Sequence, residues 1–302
     1  MATKYRIKQY YTVNGQLDIT SDFIAGFSKL FDRILDRFCS DYSLTRTAWA
    51  TAQGPWGWDY KKSYITFDGK QNLLDIYFHS DVGNTIGAMM GFNSPNNPND
   101  WPDGPTIGIS DLVVSGDWDD HCSFYLNVLD KYEDTGGDPP EVGEILGFSM
   151  PHYFYFSSTE PAIDPAFKAD GYFFYDTAHK YVYALGGCYP KEPTNNDWPS
   201  WDNWIFDYDE NKFKGRLVNK SKSFSSNSRC IVSQVMYEDE YYRTSSLEIE
   251  CLADVYNNSF SSGNTVHADK EYIICDSMFG TSIVYDVFEQ IEIPGENPPS
   301  GG

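Results

Sequence analysis

Aromatic side chains spaced for pleated strands constrain this chain more than any other feature. Tyr153-Phe154-Tyr155-Phe156, Tyr172-Phe173-Phe174-Tyr175 and Tyr181-Val182-Tyr183 are the clearest of these stretches, each separated from the next by turn-forming residues. Aromatics suit a half-buried pleated surface and supply large contact area at protein interfaces. Tyr, Phe and Trp make up 17% of the 302 residues, a volume that offsets a hydrophobic share of only 41%. Disordered chains are poor in these residues, so a folded, mainly β chain is expected, long enough for one large β domain or two smaller ones.

The formal net charge is −22, from 22 Lys and Arg against 44 Asp and Glu. A surface that negative repels phosphate backbones and anionic lipids, so neither nucleic acid nor membrane is expected as a partner. The stretch Met1 to Tyr10 lacks the apolar core of a signal peptide, and no run approaches the ~20 apolar residues of a membrane helix. Synthesis and retention in the cytoplasm follow as the expectation. The six cysteines (Cys39, Cys122, Cys188, Cys230, Cys251, Cys275) lie far apart with no CxxC pair. Zinc and redox centres use close pairs, so reduced and mostly buried thiols are expected.

Along the chain, Tyr5 to Ile19 reads as two strands about an Asn14-Gly15 turn. A helix follows, capped by Thr20 or Ser21, with Asp22 at the positive end of its dipole. Phe23, Ile24, Phe27, Leu30, Phe31, Ile34, Leu35 and Phe38 recur at helical spacing on one face, and Asp32, Arg33, Asp36 and Arg37 occupy the other. The charge balance of that polar face disfavours a membrane surface, and packing on a sheet is preferred over packing on a neighbouring subunit. From Trp49 the pattern is β with long loops. Ser63–Asp68 pairs with Leu73–His79, Gly171–Asp176 with Lys180–Leu185, and Trp204–Tyr208 with Lys212–Val218. Met150–Ser157 and the late segments Cys230–Tyr237, Ser245–Leu252, Tyr272–Cys275 and Ile283–Ile293 read as further strands. Asn93 to Pro105 is a Pro/Asn/Asp-rich loop. Leu129 to Gly143 reads as an acidic connection between subregions. The expected architecture is therefore an antiparallel β-sandwich-like fold with long loops and one N-terminal amphipathic helix. Residues 1–135 hold the helix and a β subregion, 136–293 an aromatic-rich β subregion, and 294–302 a flexible tail.

Few residues are candidates for chemistry. Asp117-Trp118-Asp119-Asp120-His121 could hold a divalent cation or act as acid and base, though aspartates this close are also ordinary turn residues. Asp207, Asp209 and Asn211 match the first, third and fifth positions of a calcium loop. The sixth and twelfth positions are Lys212 and Val218 rather than Gly and Glu, so a hairpin turn explains the stretch better. His79, His121, His152, His179 and His267 show no HxH or HExxH spacing, and no nucleophile elbow, phosphate loop or dinucleotide fingerprint occurs. Cys39 lies beside Phe38 at the helix end, which suits packing. Trp49, Trp56 and Trp58, and Trp198, Trp201 and Trp204, form two clusters that can close the ends of a sandwich, anchor an interface or stack on sugars. No residue is assigned a catalytic, cofactor-binding or metal role, and no cofactor is expected.

The order of these features resembles that of virion proteins encoded in the structural modules of tailed bacteriophages. The resemblance runs from Ser21 to Pro190. It takes in the amphipathic helix, Trp49, Gly54-Pro55-Trp56-Gly57, Leu74-Asp75-Ile76-Tyr77-Phe78 and Ile86-Gly87-Ala88-Met89-Met90-Gly91-Phe92-Asn93 before the Pro-rich loop. It continues through the hairpin of Gly171–Asp176 and Lys180–Gly187 to Tyr189-Pro190. In those proteins the second hairpin strand is longer and more basic, of which Lys180 is the one basic residue here. The resemblance is one of pattern and brings no catalytic residues. It implies a non-enzymatic structural protein of a particle, of the tail or baseplate, located in the virion after synthesis in the host cytoplasm. Its partners would be other virion proteins and copies of itself, with Ile86–Phe92 either at such a contact or a core strand. The competing expectation is a glycan-binding or glycan-hydrolysing β protein that uses Trp198, Trp201 and Trp204 with a carboxylate pair.

Overall fold

Strands account for most of the described residues and one helix for 11%, which makes the fold mainly β. The computed structural model describes the elements named next, with the turn residues 42–44, 135–136, 142–143, 218, 241–243, 264, 268–270, 282 and 286. Strand β1 (Ala2–Val13) precedes the helix α1 (Phe23–Asp41). Then come β2 (Thr45–Arg46), β3 (Ala50–Gln53), β4 (Asp59–Phe67), β5 (Asn72–Asp81), β6 (Thr85–Phe92), β7 (Thr106–Ile107), β8 (Leu112–Val113) and β9 (Cys122–Ser123). The middle of the chain holds β10 (Tyr125–Asp134), β11 (Glu144–Ser149), β12 (Tyr155–Phe156), β13 (Gly171–Asp176), β14 (Tyr181–Gly186), β15 (Trp204–Asp207), β16 (Lys212–Leu217) and β17 (Ser223–Phe224). It ends with β18 (Arg229–Asp239), β19 (Thr244–Tyr256), β20 (Thr265–His267), β21 (Glu271–Cys275), β22 (Ile283–Tyr285) and β23 (Val287–Pro294).

The chain divides into two units. One comprises Met1–Lys8, Asn127–Pro151 and Asp164–Glu289; the other comprises Gln9–Leu126, His152–Ile163 and Gln290–Gly302. In the second unit a seven-stranded sheet is ordered β2-β4-β5-β6-β7, with β3 on β4 and β8 on β6. The β4–β5 hairpin is in register from Tyr60↔His79 to Phe67↔Asn72, in line with the alternation read from Ser63–Asp68 and Leu73–His79. Ile86–Phe92 lies in β6, paired with β5 along its length. Helix α1 buries Ile34, Leu35, Phe38 and Cys39. The Phe38 ring meets Tyr10 edge-on at 5.9 Å and Tyr42 at 5.5 Å, and the Tyr10 hydroxyl donates to Asp41 Oδ2 at 2.9 Å. The helix stops in a Schellman arrangement: Leu44 N–H donates to Cys39 O at 2.8 Å and Ser43 N–H to Ser40 O at 3.4 Å. Ser43 takes the left-handed conformation there, with φ 54°. On the polar face of α1, Arg46 of β2 reaches Asp32 and Asp36, both at 2.6 Å.

The first unit is built on a fourteen-stranded sheet ordered β20-β21-β22-β19-β18-β16-β15-β14-β13-β11-β10-β1-β23, with β17 parallel to β19. The aromatic hairpins lie within it. β13 and β14 pair from Gly171↔Gly186 to Asp176↔Tyr181, and β15 and β16 from Trp204↔Arg216 to Asp207↔Lys212. β19 shows the period-2 pattern of a strand with one covered face: Leu247, Ile249 and Cys251 are buried while Glu248 is exposed. These residues share a core with Ile7, Leu129, Val235, Tyr237, Ile283 and Tyr285. The core thus draws on strands from distant positions in the sheet order. The reason is covalent: only Asp286 separates β22, which pairs with β19 and β21, from β23 at the far end of the path.

Two sequence expectations change. Leu129 to Asp134 is not a connection but the end of β10, which pairs with β11 from Asn127↔Ser149 to Lys131↔Glu144. Ile283–Ile293 is two strands broken at Asp286, not one. The Asn14-Gly15 turn, residues 93–105, most of 150–157 and the tail 294–302 beyond Pro294 lie outside the described residues.

The β10 misreading has a chemical origin. Asp130 is fully buried, and Arg6 of β1 forks onto it through Nε at 3.0 Å and Nη2 at 2.6 Å. Arg6 Nη1 donates to Glu289 at 3.2 Å, and its guanidinium lies 4.5 Å from the centre of the Tyr132 ring. A planar bidentate pair satisfies the carboxylate lone pairs that burial strips of water. Removing one member leaves the other charge stranded. Arg6→Ala is therefore expected to cost about 3–5 kcal/mol, read from denaturant unfolding. Gly143 supports the same carboxylate by its smallness: a Cβ there would stand 2.6 Å from Asp130 Cγ and 2.9 Å from the Lys131 carbonyl oxygen. Gly143→Ala should lose about 1–3 kcal/mol in the same measurement, and an unchanged midpoint would contradict the crowding.

Candidate contact site at a hairpin tip

β18 and β19 form the longest hairpin of the first unit, paired from Arg229↔Tyr256 to Glu238↔Thr244 with shifts at Ile231/Val232 and Gln234/Met236. Its tip is built by one carboxylate. Asp239 Oδ1 accepts from the N–H groups of Tyr241 at 2.9 Å and Arg243 at 2.8 Å, and Oδ2 accepts from Arg243 Nε at 2.7 Å. The backbone closes around it, with Asp239 N–H donating to Arg243 O at 2.9 Å and Tyr242 N–H to Asp239 O at 3.0 Å. This is the pattern of a three-residue hairpin loop whose last position is left-handed. Loss of solvent around the Asp239 carboxyl pushes its pKa up. The Arg243 N–H, the Arg243 guanidinium and the Tyr241 N–H outweigh that and hold it below the ordinary value.

What the loop displays is two tyrosines. Tyr241 is 67% exposed and Tyr242 80% exposed, the two highest values among the exposed large apolar side chains described. The Arg243 guanidinium lies 5.1 Å from the Tyr241 ring centre. Tyr242 has φ 60°, a position that loops of this kind give to Gly or Asn. The chain thus holds a bulky aromatic out to solvent at a backbone cost of about 1–2 kcal/mol. Nothing in the sequence patterns drew attention to this tip, since Glu240-Tyr241-Tyr242-Arg243 matches no turn signature. The signal available was negative: a tight turn without Gly, Asn or Pro.

A second polar cluster lies at the β20–β21 turn. Lys270 Nζ contacts Asp286 Oδ2 at 3.0 Å and Glu250 Oε2 at 3.9 Å, and it sits over the rings of Tyr272 and Tyr5. Tyr5 and Asp286 also exchange bonds, Tyr5 N–H to Asp286 Oδ2 at 2.9 Å and Asp286 N–H to Tyr5 O at 2.8 Å. Burial pushes the Glu250 carboxyl up, and it pushes the Tyr5 hydroxyl up to about 12 with Glu250, Glu248 and Asp286 adding to it. The lysine bridges the two carboxylates and lies against the tyrosine rings, so the cluster reads as a clasp holding β1, β19, β21 and the β22–β23 junction.

Of the sequence candidates, Cys39 is a buried free thiol that burial pushes up to about 12, and Cys251 is free and buried as well. Both are packing residues. His79 lies in β5 opposite Tyr60 and Gly87, and His267 is exposed in β20. Trp204 lies in β15 opposite Arg216, and Asp207 ends the same strand. Lys212 to Leu217, which a calcium loop would need in its second half, form β16 instead. Asp117 to His121, Asp209, Asn211, Trp49, Trp56, Trp58, Trp198, Trp201, His152 and His179 lie outside the described residues. Among the described residues no three His, Cys, Asp or Glu side chains converge on a metal position, and no helix is long and apolar enough to cross a membrane. Set against known protein families, characterised proteins and solved structures, the chain matches none.

The left-handed backbone at the tip yields a direct expectation. Tyr242→Gly should raise stability by about 1 kcal/mol, because glycine takes φ 60° without steric cost. A variant less stable than the parent in thermal or denaturant unfolding would show that the Tyr242 side chain stabilises the fold itself.

Proposed function

We propose that this chain is a structural component of a tailed bacteriophage particle, of the tail or baseplate, working through protein–protein contacts. The observation that carries the reading is the Asp239-braced display of Tyr241 and Tyr242. Rigid, exposed tyrosines beside an arginine are the composition of interface anchors, since they bring large contact area with few rotors to freeze. A local conformation disfavoured for an aromatic persists where the displayed group is needed. The pattern resemblance between Ser21 and Pro190 supplies the kind of assembly, and the charge of −22 argues for a position away from packaged DNA. In this reading the curled sheet packs as a sandwich, α1 is its N-terminal amphipathic helix, and the protein resides in the virion after synthesis in the host cytoplasm. It is used in multiple copies beside other virion proteins, without enzymatic activity, cofactor, nucleic acid or membrane. The Ile86–Phe92 strand and the tail 294–302 are further places for contact.

Mass spectrometry of purified particles tests the assignment, and absence of the chain from particles would refute it. Tyr241→Ala/Tyr242→Ala should lower incorporation at least about tenfold while leaving the unfolding midpoint unchanged. Tyrosines also stack on sugars, so selective binding on a glycan array that the double variant abolishes would favour a glycan-binding β protein instead.

A further inference from the structure

We infer that the outer edge of β20 is a self-pairing edge, where two copies of this chain join antiparallel strands about a two-fold axis at Val266. The inference rests on the multi-copy reading above and names the contact between copies. β20 ends the sheet order, and no described strand lies beyond it. Its register with β21 is Thr265↔Ile273, Val266↔Tyr272 and His267↔Glu271. The bonds that bracket this register are Ile274 N–H to Asn264 O and Ala268 N–H to Lys270 O, both at 2.9 Å. In an antiparallel ladder hydrogen-bonded pairs alternate, so residues 264, 266 and 268 face β21. The N–H and C=O groups of Thr265 and His267 therefore face outward.

That spacing makes the edge complementary to itself. With the axis at Val266, Thr265 of one copy stands opposite His267 of the other, and both residues present outward groups. Each pair exchanges two bonds, and symmetry repeats them, for four across the axis. A pairing shifted by one residue would set outward groups against inward ones and form none.

The edge also lacks the usual guards. Natural edges carry charges, proline or bulges to prevent pairing. Charged residues make up 22% of this chain, yet the fourteen residues Val255 to Ala268 contain no Asp, Glu, Lys, Arg or Pro. In a molecule of net charge −22, this edge strand carries no carboxylate that would repel its own copy. Val266 is buried while Thr265 and His267 are exposed, so the edge is a firm strand of the core and not a loose terminus. Four bonds are few, and distant repulsion between copies opposes them. The contact should thus be weak at low salt and strengthen as salt screens that repulsion.

Sedimentation of the intact chain across salt concentrations is the first measurement, with the mass expected to rise about twofold at high salt. Thr265→Pro removes one outward N–H and none that β21 uses, so the variant should keep its fold and lose the dimer. A second route does not depend on proline. Paired residues across such a ladder have Cα atoms about 5.5 Å apart, within disulfide reach, whereas the diagonal equivalents lie beyond it. A mixture of Thr265→Cys and His267→Cys chains should therefore oxidise to a mixed dimer, and neither variant alone should. Association that survives Thr265→Pro without the mixed disulfide overturns the edge and leaves the multi-copy reading standing. A parent chain that stays monomeric at every salt concentration overturns the edge too, while particle mass spectrometry still decides the virion reading. Pairing of β20 only with a strand of another protein would likewise refute self-pairing.

Discussion

Asp286 joins two strands that stand toward opposite ends of the largest sheet's order. The strand before it pairs beside β19, and the strand after it stands at the other end of the order beside β1, so one residue must turn the chain between the two. Its carboxylate accepts from the Tyr5 backbone and from Lys270, and its own N–H donates to Tyr5 O. The break in the strand is thus stitched to β1 by main chain and to the β20–β21 turn by charge. Ile7, Leu129, Tyr237, Ile249 and Tyr285 can then share one core although their strands are far apart in sequence. Burial of that apolar surface supplies the driving force, and the junction decides which surfaces meet.

Charges also occur inside. β1 runs between β10 and β23, and its residues from Arg6 to Tyr11 are buried whatever their polarity. A cation in such a strand needs a partner as deeply buried, and Asp130 on the adjacent β10 provides it, with Glu289 on β23 completing the set. Replacement by apolar residues of matching shape could preserve stability, but removal of one charge could not. The pairing also acts on register: a slip of one residue on β1 would turn Arg6 to the opposite face and leave Asp130 alone.

Hairpins whose turns are short and whose strands alternate were legible in the sequence. Gly171–Asp176 with Tyr181–Leu185, and Trp204–Asp207 with Lys212–Leu217, pair as the alternation implies. β10 was illegible because Asn127, Asp130 and the acidic run to Asp134 read as solvated, while the residue that makes Asp130 acceptable lies 124 positions away. The turn that ends α1 gave no glycine sign, since Ser43 takes the left-handed place. The partner of the helix's polar face was equally hidden: Asp32 and Asp36 meet Arg46 ten and more residues later. Local patterns report on neighbours in sequence, and each of these features is satisfied by a neighbour in space.

The hairpin tip and the β20 edge break local rules in opposite ways. At the tip the chain accepts backbone strain to present aromatic surface, where glycine would relieve the strain and present nothing. At the edge the strand carries no charge, where a single lysine would oppose pairing at no cost to the core. Selection for stability alone would remove the first feature, and selection for solubility alone would remove the second. Departures from local consistency concentrate where function opposes stability. The two sites differ in what they offer, side-chain area in one case and strand-edge backbone in the other. In the proposed reading these two features meet unlike neighbours, one through inserted rings and one through a shared strand edge.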